Sequence, residues 1–224
     1  MILPSQYYEE NLYPLQDGVM NVLSKCGVRF FLTGGTALSR AYYNHRYSED
    51  LVFFVNNDND YLAQVREVFF KLKEGGFFWD TDADFISSET FTSFKVRWKK
   101  SETALKLDFV NDVAAHFGEI VNTNIYYRTD SVRNILSNKL GALFRFEAKD
   151  VADIREIALH ENVDWSQTIQ EARQKEAGIE LIHISEILSG IPRSEFEKIA
   201  WVREIEWDEF QKDINNIVFD ILHG

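Results

Sequence analysis

The sequence predicts an α+β fold, a mixed sheet with flanking helices followed by a mostly helical C-terminal lobe. Apolar and polar residues alternate with the period of a strand across 48–55, 94–99 and 104–110, and after Tyr127 no alternation of any length recurs. A short apolar run, Phe30-Phe31-Leu32, leads through Thr33-Gly34-Gly35 into a helical pattern, which ties the first strand to a helix by a tight turn.

Residues 7–25 read as a helix with Pro14 near its start or at a break. The strand at 30–32, the Gly-Gly turn and a helix over 36–43 follow. The next strand holds Leu51, Phe53 and Val55 on one face and Ser48, Asp50, Val52 and Phe54 on the other. Leu62, Val65, Val68, Phe69 and Leu72 recur at helical spacing, and Gly75-Gly76 ends that helix. From Phe77 to about Tyr127 the pattern is alternating and aromatic, the antiparallel part of the sheet. Within it, Phe94, Val96 and Trp98 oppose Lys95, Arg97 and Lys99, and Leu105, Leu107 and Phe109 oppose Lys106 and Asp108. The polar segment 99–103 between them suits a hairpin loop.

The change of character at Tyr127 sets the expected division, with one domain over 1–128 and a helical one over 129–224. Asp130 or Ser131 is placed to cap a helix reaching Phe146. Helices over 149–160, 165–177 with Asp164 as cap, 179–188 and parts of 194–222 complete the lobe, the fourth stopped by Gly190 and Pro192.

The chemistry concentrates in the first domain. Glycine at 34 and 35 removes the Cβ that would keep a phosphate from the backbone, and free N–H groups at the following helix start face whatever anion sits over the turn. A Gly-Gly turn by itself is more often a tight connection, so the phosphate reading leans on the acids that follow. Asp50 and Asp108 each lie on the strand face opposite the apolar row. Between Phe91 and Leu107 five basic residues stand against one acidic residue, on the hairpin that carries Asp108.

These residues together resemble the AbiEii family. The resemblance rests on Gly34-Gly-Thr-Ala-Leu38, on His45-Arg-x-Ser-x-Asp50 running into Phe53-Phe54, on Lys106-Leu-Asp-Phe109, and on Lys139-Leu-Gly-Ala-Leu-x-Arg145 with Lys149-Asp150 and Asp153. It spans roughly residues 30–155. The family has a nucleotidyltransferase fold, and several members act as toxins of toxin–antitoxin pairs. The resemblance implies that Gly34, Gly35 and Thr36 hold nucleotide phosphates and that Asp50 and Asp108 bind Mg2+ as catalytic acids. It makes Lys139, Arg145 and Lys149 candidates to neutralise a triphosphate or orient the site. The substrates implied are a nucleoside triphosphate and an RNA acceptor, with a cognate antitoxin as partner. The family's second acid falls on Val52, a departure that bears on catalysis and not on fold: a two-metal clamp shares carboxylates between its ions.

Composition sets wider bounds. The chain has 224 residues and a formal net charge of −12, which argues against broad affinity for nucleic acid while allowing a local basic track. The single cysteine, Cys26, cannot form an internal disulfide, and no Cys and His cluster suggests zinc. Neither a signal-peptide pattern nor a bilayer-length apolar run is present, so a cytoplasmic protein without membrane contact is expected. Three functions stay open: a nucleotidyltransferase acting on RNA, a catalytically silent nucleotide-binding or protein-binding module on the same scaffold, and a small-molecule adenylyltransferase with an acidic acceptor pocket. Arg46 is expected to pair with a carboxylate, Asp150 and Asp153 to share a helix face, and Trp201 and Trp207 to pack between helices.

Overall fold

A computed structural model describes residues 4–81, 85–98 and 101–223. The chain forms two compact units. One comprises residues 1–42, 47–114 and 120–130, and the other residues 43–46, 115–119 and 131–224. The expected hairpin loop at Lys99-Lys100 lies in part outside the described residues.

The first unit opens with a helical run made of α1 (Pro4–Tyr7), a π-helical turn (Tyr8–Leu12) and α2 (Tyr13–Leu23). Pro14 sits in the first turn of α2, and the widened turn immediately before it accommodates a residue that has no N–H to give. Then come β1 (Phe31–Thr33), a helical turn α3 (Gly34–Thr36) continued by a π-helical segment (Ala37–Tyr43), β2 (Leu51–Asn56) and α4 (Tyr61–Glu74). The strands β3 (Phe77–Phe78), β4 (Ile86–Ser87), β5 (Phe91–Trp98) and β6 (Leu105–Asp112) follow.

The sheet runs β1-β2-β6-β5-β3, with β4 also on β5. It is mixed, since β2 pairs in parallel with β6 while β1–β2 and β5–β6 are antiparallel. Residues 128–130 extend it beyond β1: Leu32 N–H donates to the Arg128 carbonyl at 2.8 Å, and Asp130 N–H donates to the Leu32 carbonyl at 2.8 Å.

The alternation places the core as the sequence implies. Leu51, Phe53 and Val55 are buried with Phe94, Val96, Leu105, Leu107 and Phe109. Phe109 lies at the centre, with ring centroids 5.3 Å from Phe53, 6.0 Å from Phe94 and 4.9 Å from Phe30. Each such side chain stabilises the fold by roughly 1.5–3 kcal/mol on burial. The same row fixes what the other face shows, because a one-residue slip would turn the rings out and the carboxylate in. One expectation is corrected here: the sheet pattern does not continue to Tyr127. After β6 the chain is irregular, with Val121 and Thr129 exchanging backbone bonds at 2.8 Å and Thr123 N–H bonding to the Tyr126 carbonyl.

The second unit is helical: α5 (Val132–Ala142) with a 3₁₀ turn (Leu143–Arg145), α6 (Ala148–His160), α7 (Trp165–Lys175), α8 (Leu181–Gly190), α9 (Arg193–Phe196) and α10 (Trp207–His223). Ser131 and Asp164 cap α5 and α7 by accepting from the N–H groups of Asn134 and Gln167. Trp201 donates through its indole to the Phe196 carbonyl at 2.9 Å and packs edge-on to Phe210. Among the described residues, no helix is long and apolar enough to cross a membrane.

Candidate active site

The polar face of the sheet carries one row of register partners: Thr33 opposite Val52, Val52 opposite Asp108, and Asp108 opposite Ser93. Paired residues on neighbouring strands project to the same face. The row therefore has a carboxylate at Asp108, a methyl-bearing gap at Val52, and a hydroxyl at Thr33 whose Oγ1 donates to the Asp130 carboxylate at 2.6 Å. Asp130 is fully buried.

Asp108 is held tightly. Ser93 Oγ donates to it at 2.6 Å and Lys106 Nζ at 2.7 Å. Lys106 is two residues earlier on the same strand face, and its side chain is 40% exposed while that of Asp108 is 14% exposed. Lys106 is legible in the sequence, since its i, i+2 spacing places it on the face of Asp108. Ser93 becomes visible only once the hairpin register is known.

The Gly-Gly turn abuts this row. Gly34 takes φ +70°, in the left-handed region that favours glycine. A Cβ built there would lie 3.8 Å from Val52 Cβ, so the turn and the Val52 side chain are in van der Waals reach. Thr36 is buried, and its hydroxyl lies 2.8 Å from Ser48 Oγ and donates to the Asp50 carbonyl. Its side chain thus fastens the helix start to the segment that delivers Asp50.

Asp50 is half-buried and stands one residue before β2. The segment leading to it is fixed from several sides. Gln16 Nε2 donates to the Ser48 carbonyl at 3.0 Å, the Tyr8 hydroxyl donates to Glu49 at 2.9 Å, and Tyr8 stacks on Tyr47 at 4.5 Å. Arg40 orients Gln16 by donating to its Oε1 at 3.0 Å. Two π-helical turns, at 8–12 and 37–43, supply Tyr8 and Arg40 to this arrangement.

The second unit holds the remaining candidates. Lys139 is buried, with Nζ 2.6 Å from Asp150 and 2.6 Å from Asp153. Arg145 donates to Asp150 at 2.8 Å and keeps 64% of its side chain exposed, and Lys149 is exposed. Asp153, fully buried, also receives the Arg46 guanidinium at 2.7 Å and the His45 ring at 2.8 Å. Burial by itself would raise the Asp153 carboxyl, but Arg46, Lys139 and His45 outweigh it and hold it well below the usual carboxylate range. His45 uses Nε2 for this bond, while its buried Nδ1 has no hydrogen-bond partner.

As to metal, Asp50 and Asp108 are the two carboxylates that the resemblance offers to Mg2+. They do not make up the carboxylate set of a two-ion clamp. Val52, beside the Gly34 turn and in register with Asp108, offers no oxygen, and among the described residues no group of three or more His, Cys, Asp or Glu side chains is placed to hold a metal ion.

Comparison with known proteins accords with the fold. Among solved structures the chain is similar to a Helicobacter pylori protein described as a nucleotidyltransferase, with 20% identity, 95% of each chain covered and a TM-score of 0.66. JHP933 from Helicobacter pylori gives 19% identity over 95% of this chain and 93% of that one, with a TM-score of 0.60. MenT4, the nucleotidyltransferase toxin Rv2826c from Mycobacterium tuberculosis H37Rv, gives 15% identity over 95% and 83%, with a TM-score of 0.65. At these identities the likeness is one of fold. No curated protein matches. The family model described as "Nucleotidyl transferase AbiEii toxin, Type IV TA system" matches residues 20–220. With most of its length matched in this way, the chain belongs to the AbiEii nucleotidyl transferase toxin family.

Proposed function

We propose that this protein transfers a nucleoside monophosphate from a nucleoside triphosphate to an acceptor hydroxyl, with RNA as the acceptor. The observation that carries the reading is the Gly34 turn lying against Val52, the register partner of Asp108, with the Thr36 hydroxyl that follows the turn bonded to the Asp50 carbonyl. Such a face can seat phosphates against backbone N–H groups and bring carboxylates beside them.

In the reaction, the acceptor oxygen attacks the α-phosphorus as the bond from that phosphorus to the β-bridging oxygen breaks. Pyrophosphate leaves, and the acceptor proton passes to a carboxylate, for which Asp108 is the first choice, or to solvent. Gly34, Gly35 and the N–H of Thr36 orient the triphosphate. Asp50 and Asp108 would hold one Mg2+, which when bound supplies positive charge to the phosphate oxygens. Phosphoryl transfer depends mostly on positioning and charge stabilisation, and both are properties of this face. Among the cations of the second unit, Lys139 is committed to Asp150 and Asp153 and Arg145 also donates to Asp150, while the Arg145 and Lys149 side chains stay exposed. Family membership supports an antitoxin as partner.

A second reading, a silent nucleotide-binding module, is favoured by Val52, which sets an apolar side chain in the middle of the polar row. One experiment separates the two: incorporation of α-labelled ribonucleoside triphosphates into total small RNA with magnesium, by the native protein, Asp50→Ala and Val52→Asp. The transferase reading expects labelling by the native chain that Asp50→Ala reduces to background. Labelling by Val52→Asp alone would identify a silenced enzyme. Absence of labelling by all three would remove RNA as the acceptor.

A further inference from the structure

The charge around Asp108 points to a subsite that the resemblance does not assign. Asp108 already accepts from a hydroxyl and an ammonium, and the row beside it has valine where a second cation would need a ligand. Lys106 spends one donor on Asp108, and the ammonium has three. Its side chain is 40% exposed, on the strand face that carries Asp108. Directly across the hairpin stands Lys95, also exposed and in register with Lys106.

We propose that the Lys106 ammonium supplies to a bound triphosphate the positive charge that a second metal ion would supply if residue 52 were an acid. The site then takes a nucleoside triphosphate with a single divalent ion. This rests on the nucleotide-transfer reading above and adds to it the cation that completes charge balance. An ammonium in that place is a point charge that needs no carboxylate cage, which makes the valine compatible with nucleotide binding.

The test is equilibrium binding of each ribonucleoside triphosphate to the full chain by calorimetry in magnesium, with bound Mn2+ counted in parallel by electron paramagnetic resonance. The native complex is expected to hold one Mn2+. Lys106→Gln should weaken binding about tenfold or more, with Lys106→Arg remaining within about threefold of native, as for a charged hydrogen bond to phosphate. The double variant Val52→Asp with Lys106→Gln should recover affinity and hold two ions. The inference is overturned by two Mn2+ in the native complex, or by Lys106→Gln binding within about threefold of native. The ion count does not depend on whether the lysine variants fold. If the native chain binds none of the nucleotides, the nucleotide-transfer reading falls together with this one. Native binding that Lys106→Gln leaves intact removes this inference alone.

Discussion

Asp153 balances two cations and a histidine with no exposure to solvent, so its loss should cost the fold heavily. Removing one partner of a buried pair strands the others, so Asp153→Asn is expected to lower stability by about 3–5 kcal/mol, read from the urea midpoint at neutral pH. The pH dependence has a definite sign. A carboxyl held below its ordinary value stabilises the fold above the unfolded pKa of about 3.9, and that contribution is lost as the pH falls toward the lowered folded value. The native protein should therefore lose stability on acidification below about pH 4 more steeply than Asp153→Asn does. A parallel decline in both would count against the assignment. None of this network was legible beyond the expectation that Arg46 finds a carboxylate, because Arg46 and Asp153 are 107 residues apart. Val52 was legible, since a period of two fixes which face each residue of a strand occupies. Ser93 was not, for its meeting with Asp108 depends on the hairpin register.

At the level of elements, periodicity located the strands and helices well where one face is buried. It erred in the irregular stretch after β6, and it gives helix without its winding at 8–12 and 37–43, where the turns are π-helical. The helices expected over 194–222 are α9 and α10, and the residues between them are irregular, with Trp201 bridged to Arg46. Two turns connect these elements to function or stability. Gly34→Ala would force φ +70° on a residue with a Cβ, at a cost of about 1–2 kcal/mol, without a steric clash, since Val52 lies at ordinary contact distance. It should also displace the phosphate turn, so nucleotide affinity is expected to fall while the variant remains folded; unchanged affinity would argue against a phosphate role for the turn. Ser131 Oγ accepts from Asn134 N–H at 3.1 Å and donates to the Phe117 carbonyl at 2.6 Å. Ser131→Ala is expected to cost about 1–2 kcal/mol through the lost cap of α5, seen as a lower thermal midpoint.

Across the whole molecule, the division into units does not follow the order of the chain. The sheet and its aromatic core lie within residues 1–130, and so do Gly34, Asp50 and Asp108, yet residues 43–46 belong to the helical unit. His45 and Arg46 are fixed there by Asp153, and the His45 carbonyl accepts from Val202 N–H at 3.1 Å. A fragment ending at Asp130 keeps Phe53, Phe94 and Phe109 together and retains Gln16 and Thr36 to hold residues 48–50, but it lacks Asp153 and Val202, which hold His45 and Arg46. The expected outcome is a cooperatively unfolding sheet with β1, β2, β5 and β6 protected from hydrogen exchange, and rapid exchange confined to about residues 43–47. Protection at 43–47 equal to that of the full chain would mean that the sheet unit holds this segment by itself. Loss of protection across all four strands would mean that the first unit depends on the helices for its stability. Either result also bears on Asp50, because the segment that delivers it begins where the anchor of the second unit ends.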